Sequence, residues 1–133
     1  MPKNVYFTRA SKGGPNKSPE FSFVLVGWGS GTGESSSPLK SLLATHDKSK
    51  GMGASNRGRH ANPMMDEVLL KALATVDDKE RGTLLAKATE IGIGEDQGII
   101  PLHYQVNTWA TRPGLKYNAR ADERTVGLDL VKE

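Results

Sequence analysis

Hydrophobic and polar positions along this chain follow two different periods. Phe21 to Val26 is apolar except at Ser22, is rich in aromatic and β-branched residues and stops at Gly27, a pattern that predicts a buried strand. Ile99 to Val106 is a second β-prone run, and Pro101 confines it to an edge or an irregular strand. Between them the spacing turns helical. Asn62 can accept a hydrogen bond from a free first-turn amide, and Pro63 suits a position that needs no donor, so a helix is predicted from Pro63 with Met65, Val68, Leu69, Ala72, Leu73 and Val76 on one face. Asp77-Asp78-Lys79-Glu80 reads as a capping box opening a second helix, striped by Leu84, Leu85, Ala88 and Ile91 and closed by Gly92, Gly94 and Gly98. The two helices are expected to pack as a hairpin on the sheet.

Shorter elements fill the remainder. A helix is predicted over Asn4 to Ser11, broken by Gly13-Gly14-Pro15-Asn16 and Ser18-Pro19. Gly27 to Ser37 is a loop rich in glycine and serine, after which Pro38 opens a short helix through Ala44 with Leu39, Leu42 and Leu43 on one face. His46 to Ala61 shows no periodicity and reads as a long exposed loop. Leu115 to Tyr117 is expected to pair briefly, and the polar run from Asn118 to Glu133 to be poorly packed at its end.

Composition narrows the class. With 133 residues the chain fits one domain able to bury a real core, and its 15 glycines and 7 prolines point to extensive loop. A net charge of +3 arises from 18 basic and 15 acidic residues that are interspersed, which reads as a solvated surface. The absence of cysteine excludes disulfides and thiolate metal sites. No segment has the apolar length of a membrane span, and Met1 to Lys12 lacks the apolar centre of a secretory signal.

Candidate chemistry is sparse. Gly27-Trp28-Gly29-Ser30-Gly31-Thr32-Gly33 invites a phosphate-loop reading, but a dinucleotide fingerprint starting at Gly27 needs glycine where Thr32 stands, and one starting at Gly29 needs it at Glu34. Ser37-Pro38-Leu39-Lys40 matches a Ser-x-x-Lys pattern without its companion motifs. His46, His60 and His103 lack the spacing of a zinc site, so neither a metal nor a cofactor is expected. No nucleophile, base and orienting group combine, so no catalytic residue is assigned. Arg57, Arg59 and the C-terminal arginines leave a small basic nucleic-acid-binding module as the alternative, set against a solvated loop. Arg120, Asp122, Glu123 and Arg124 read as a surface charge network.

The order of several weak motifs carries more. An apolar run leading into Gly27-Trp28, then Asn62-Pro63 with Asp66, Asp77 with Arg81, and Ile100-Pro101-Leu102 resembles the C-terminal end of extracytoplasmic solute-binding protein family 5, the substrate-binding proteins of peptide and nickel ABC transporters. The resemblance runs from Phe21 through Thr125. It implies an α/β chain forming part of a type II periplasmic-binding-protein-like fold, a mixed sheet with a helical hairpin packed on it. Residues 1–112 would belong to the C-terminal ligand-binding lobe and residues 113–133 to a partly extended return segment.

Further expectations follow from the resemblance. The parent would be a periplasmic receptor that closes two lobes on a peptide or other small solute and delivers it to an ABC transporter permease, without catalysis and without nucleic acid. This chain would be a C-terminal fragment of it, carrying no signal peptide. Trp28 looks like the family's pocket tryptophan, with packing as core the competing role; Gly29, Ser30, Gly31 and Thr32 would offer hydrogen bonds to the solute. Many peptide-binding members carry an aspartate where this chain has Gly31, so either Glu34 replaces it as partner of the ligand's amino terminus or the ligand lacks that charge. Apolar surface that would face the missing lobe makes self-association an expectation.

Overall fold

The computed structural model describes residues 1–14, 16 and 18–133. Pro15, one of the predicted chain breaks, lies outside them. The order is α1 (Lys3–Lys12), α2 (Ser36–Pro38) running on as a π-helical turn (Leu39–Leu43), α3 (Pro63–Ala74), α4 (Asp78–Thr89) running on as a second π-helical turn (Glu90–Glu95), β1 (Leu115–Tyr117), a 3-10 turn (Gly127–Asp129) and β2 (Leu130–Lys132).

The helical hairpin forms as its sequence dictates. Asn62 Oδ1 accepts from the amides of Met64 (2.9 Å) and Met65 (3.2 Å), with Pro63 at the first helical position. Asp77 Oδ1 accepts from Glu80 N at 2.7 Å and starts α4. The facing stripes bury Met65, Leu69 and Ala72 of α3 against Leu85, Ala88 and Ile91. Leu39, Leu43 and Ala44 close this core from one side, with Met52 beside them. Glycine allows the close approach at the second π-turn, because a Cβ on Gly92 would stand 2.7 Å from Met65 Sδ and 3.2 Å from Leu43 Cδ1. Val76 falls beyond the end of α3 and is exposed.

Three expectations are corrected. Phe21–Val26 is not a buried strand: the segment takes no strand structure, and Phe23 and Leu25 are exposed. Ile99–Val106 likewise forms no strand and is exposed along nearly its whole length. The mixed sheet these runs were to build is therefore absent among the described residues. The strands found there are β1 and β2, antiparallel with Lys116 opposite Val131. The physical reason is competition for one apolar surface: Leu39, Leu43, Ala44 and Met52 already cover the hairpin, so of the second run only Ile99 packs against the core, and neither run has a neighbouring strand. The hairpin packs on the residue 39–44 segment in place of a sheet.

The third correction concerns residues 46–61, which are not uniformly exposed. Asp47 and Met52 pair through two backbone bonds of 3.1 and 2.9 Å, which turns Met52 into the core. Asn56 is buried because its Nδ2 donates to the carbonyls of Ala44 (3.0 Å) and His60 (2.7 Å) while its Oδ1 accepts from His60 N (3.0 Å). One amide side chain thus satisfies the Ala44 carbonyl left open at the end of the π-turn and ties the loop at His60 to it.

Candidate ligand-binding wall

The glycine-rich segment after Trp28 is held by its own hydroxyls and by the hairpin. Gly33 N donates to Ser30 O at 3.2 Å, closing a turn; Ser30 Oγ donates to Glu34 O at 2.6 Å and lies 3.2 Å from Thr32 Oγ1. Glu34 anchors the far end. Arg81 on α4 meets its carboxylate through Nη2 (2.9 Å) and Nε (3.2 Å), and Ser36 Oγ donates to the same carboxylate. Arg81 Nη1 also donates to Ala72 O at 2.9 Å, at the end of α3. The loop is therefore fixed to both helices through one guanidinium, the planar donor suited to a two-point carboxylate contact. The Arg81 and Ser36 hydrogen bonds hold the Glu34 carboxyl below the usual range.

An open cleft of about 470 Å³ lies between Ser30, Gly31, Thr32 and Gly33 on one side and Arg120, Ala121 and Asp122 on the other. A Cβ on Gly31 would meet nothing within 4 Å, so the wall is bare backbone there. A Cβ on Gly29 would stand 3.4 Å from Glu123 Oε2, which places the C-terminal segment against the loop. Arg120 donates to both oxygens of Asp122 (Nε–Oδ1 2.8 Å, Nη2–Oδ2 2.6 Å) and lies 3.6 Å from Asp129 Oδ2. Chiefly through the Arg120 hydrogen bond, the Asp122 carboxyl is pushed down to about 2, and Arg120 is raised in turn. The cleft thus offers backbone and hydroxyl groups of one loop, with an ion-paired rim opposite.

The predicted site residues are only partly brought together. Ser30, Gly31 and Thr32 line the cleft; Trp28 and Gly29 precede it, and Trp28 is 43% exposed, which removes it from the core. Glu34 sits behind the loop in its ion pair. Sequence reasoning recognised the charge network at Arg120 and Asp122 but not its place opposite Ser30–Gly33. The return segment reaches that place because Trp109 stacks near Tyr117 (5.3 Å between centroids) and donates to Thr125 Oγ1 (2.9 Å), while Tyr117 Oη donates to Arg124 O (2.9 Å).

His46, His60 and Arg57 have structural engagements. His60 Nδ1 lies 2.7 Å from Leu43 O and its Nε2 2.8 Å from Asp96 Oδ2, which Asn62 Nδ2 also reaches at 2.7 Å. His46 Nδ1 lies 3.2 Å from Gly53 O. Among the described residues no group of three or more His, Asp or Glu gathers as a metal would need. Arg57 stacks over Phe7, 5.3 Å from the ring centroid, and donates to Ser11 Oγ at 3.2 Å.

The chain is similar to periplasmic oligopeptide-binding proteins. It is 28% identical over 93 residues to the periplasmic oligopeptide-binding protein OppA of Salmonella typhimurium, a stretch covering 70% of this chain and 16% of that protein. It is 35% identical over 63 residues to OppA of Haemophilus influenzae, covering 47% of this chain and 12% of that protein. The chain thus spans about one-sixth or less of the length of these curated relatives. No family model matches it, and no solved structure does. Both relatives are, by name, periplasmic oligopeptide-binding proteins, in keeping with the resemblance carried by Trp28, Asn62-Pro63 and Ile100-Pro101-Leu102.

Proposed function

We propose that this chain forms one wall of a solute site in an extracytoplasmic binding protein of the peptide-transport type. It would be the C-terminal portion of a two-lobed, type II periplasmic-binding-protein-like receptor that closes on a peptide-like solute and delivers it to an ABC permease. The observation that carries the reading is the 93-residue similarity to a periplasmic oligopeptide-binding protein. The open cleft supports it, because backbone and hydroxyl groups on Ser30–Thr32 suit a peptide-like ligand, and a bare wall needs a second lobe to enclose anything. Affinity in such a receptor comes from contacts on both sides of a hinge, which together favour the closed state.

The pairing of Glu34 with Arg81 and Ser36 favours one of the two ligand readings. A carboxylate already met by a guanidinium has little field left for a ligand ammonium, and Gly31 supplies none. The solute is therefore one whose free amino terminus is not recognised from this wall. Titrating the full product of the reading frame with peptides bearing free and acetylated amino termini tests this by calorimetry. Equal affinities are expected, and clear preference for the free amine would contradict the assignment.

A further inference from the structure

Residues 27–33 carry little of their own to hold them in place. All but Ser30 are exposed, and a Cβ on Gly31 or Gly33 would meet nothing within 4 Å. Among the described residues no backbone group of this stretch bonds the backbone of another segment; its bond from Gly33 N to Ser30 O is internal. The tie to the core runs through side chains instead. Ser30 Oγ donates to Glu34 O at 2.6 Å, and among the described residues every hydrogen bond from residues 30–34 to the helical hairpin is one that Arg81 gives to the Glu34 carboxylate. Arg81 is itself set in place, because Nη1 on Ala72 O at 2.9 Å leaves Nε and Nη2 to meet the two carboxylate oxygens side by side. The side chains of Arg81 and Glu34 are only 25% and 31% exposed, which spares the pair much of the screening that weakens surface ion pairs.

We infer that Arg81 is a positioning residue for the solute wall: it holds Ser30–Gly33 in place through Glu34, so that the cleft is formed before a ligand arrives. The inference rests on the reading of that cleft as part of a solute site. Arg81 does not line the cleft, so its effect passes through the loop rather than through contact with solute. A loop that must be ordered on binding takes the cost out of the affinity, and a loop fixed beforehand does not. Positive charge alone is insufficient for this. A lysine ammonium lacks the planar fork that meets both oxygens of Glu34 while a third nitrogen stays on Ala72 O.

A nitroxide probe on Gly31→Cys reports the mobility of the wall directly, since this chain has no cysteine and the space around Gly31 is open. Its spectrum is read without solute in the full product of the reading frame, in a background with no other cysteine, and urea unfolding checks that each variant is folded. Arg81→Met, Arg81→Lys and Glu34→Ala should each shorten the correlation time of the probe, roughly twofold or more. Adding Arg81→Met to Glu34→Ala should leave the spectrum as it is in Glu34→Ala alone, because both changes cut the same tie. In calorimetry with a short peptide and unlabelled protein, Arg81→Met should bind several-fold to about tenfold more weakly than wild type. A probe as immobile in Arg81→Met as in wild type, full rescue by Arg81→Lys, further loosening when Arg81→Met is added to Glu34→Ala, or equal peptide affinity in wild type and Arg81→Met would each overturn the inference. A wild type that binds no peptide while the probe responds as expected would instead overturn the solute reading, and with it the role of Arg81 in binding, while its hold on the loop stands.

Discussion

At the residue scale, single polar side chains reinforce the joins that the apolar core makes. Asn62 caps α3 and also reaches Asp96, while Asp66 Oδ1 accepts from Thr45 N at 3.0 Å and binds the end of the first π-turn to α3. Asn62→Ala removes a cap and one contact to Asp96, with an expected loss of about 1 kcal/mol or slightly more in urea unfolding, typical of a lost N-cap. A change within a few tenths would show that the cap is dispensable. Asp96 predicts a pH dependence. The hydrogen bonds from His60 and then Asn62 hold its carboxyl below its ordinary range, so the folded state favours the carboxylate. The resulting stability is complete above the unfolded carboxyl value, near pH 4, and is lost as pH falls through the lower folded value. Asp122 acts in the same direction, its contribution fading between its ordinary 3.8 and about 2. Thermal unfolding from pH 6 downward should therefore show a steeper acid loss for wild type than for Asp96→Asn, at roughly the pH values given for these carboxyls. Parallel curves would contradict the assignment.

At the element scale, the helical hairpin was legible and the sheet was not, and the difference is physical. A helix satisfies its own backbone, so Asn62-Pro63, Asp77 and stripes spaced three and four apart specify α3, α4 and their facing residues locally. A strand needs a partner. The apolar runs at Phe21–Val26 and Ile99–Val106 state that these segments favour burial but not what would bury them, and within this chain Leu39, Leu43 and Met52 hold the available surface. The brief pairing expected at Leu115–Tyr117 forms, but its partner is Leu130–Lys132 across residues 118–129, which no local signal specifies. One Met and one Asn give no period, so the residue 46–61 loop carries no sequence sign of burial, although Met52 and Asn56 are both buried. Its most sensitive position is Gly53, at φ +63°, where a Cβ would press on Ala44 O and stand 2.7 Å from His46 Cα. Gly53→Ala combines left-handed strain with a backbone clash and should lower stability by about 1–3 kcal/mol in denaturant unfolding. Near-wild-type stability would show that the loop relaxes freely.

At the scale of the whole molecule, the hairpin is a platform from which Arg81 holds the glycine-rich loop outward through Glu34, and the return segment supplies the opposing rim. The loop was legible from its glycines and from Trp28. The approach of Arg120 and Asp122 was not, since contact between loops distant in sequence leaves no periodic trace. What results is an open cleft between that loop and that rim, on a chain whose match covers 16% of a periplasmic oligopeptide-binding protein. On the proposed reading, this surface takes part in holding a peptide-like solute, with the exposed Trp28 ring as an apolar contact beside the cleft. The most direct measurement is calorimetric titration of a short peptide into the full product of the reading frame, wild type and Trp28→Ala, with unfolding checked in parallel. Saturable binding by the wild type, weakened about tenfold or more by Trp28→Ala without loss of folding, is the predicted result. An absence of peptide binding in the wild type, or equal affinity in the two proteins, would contradict it.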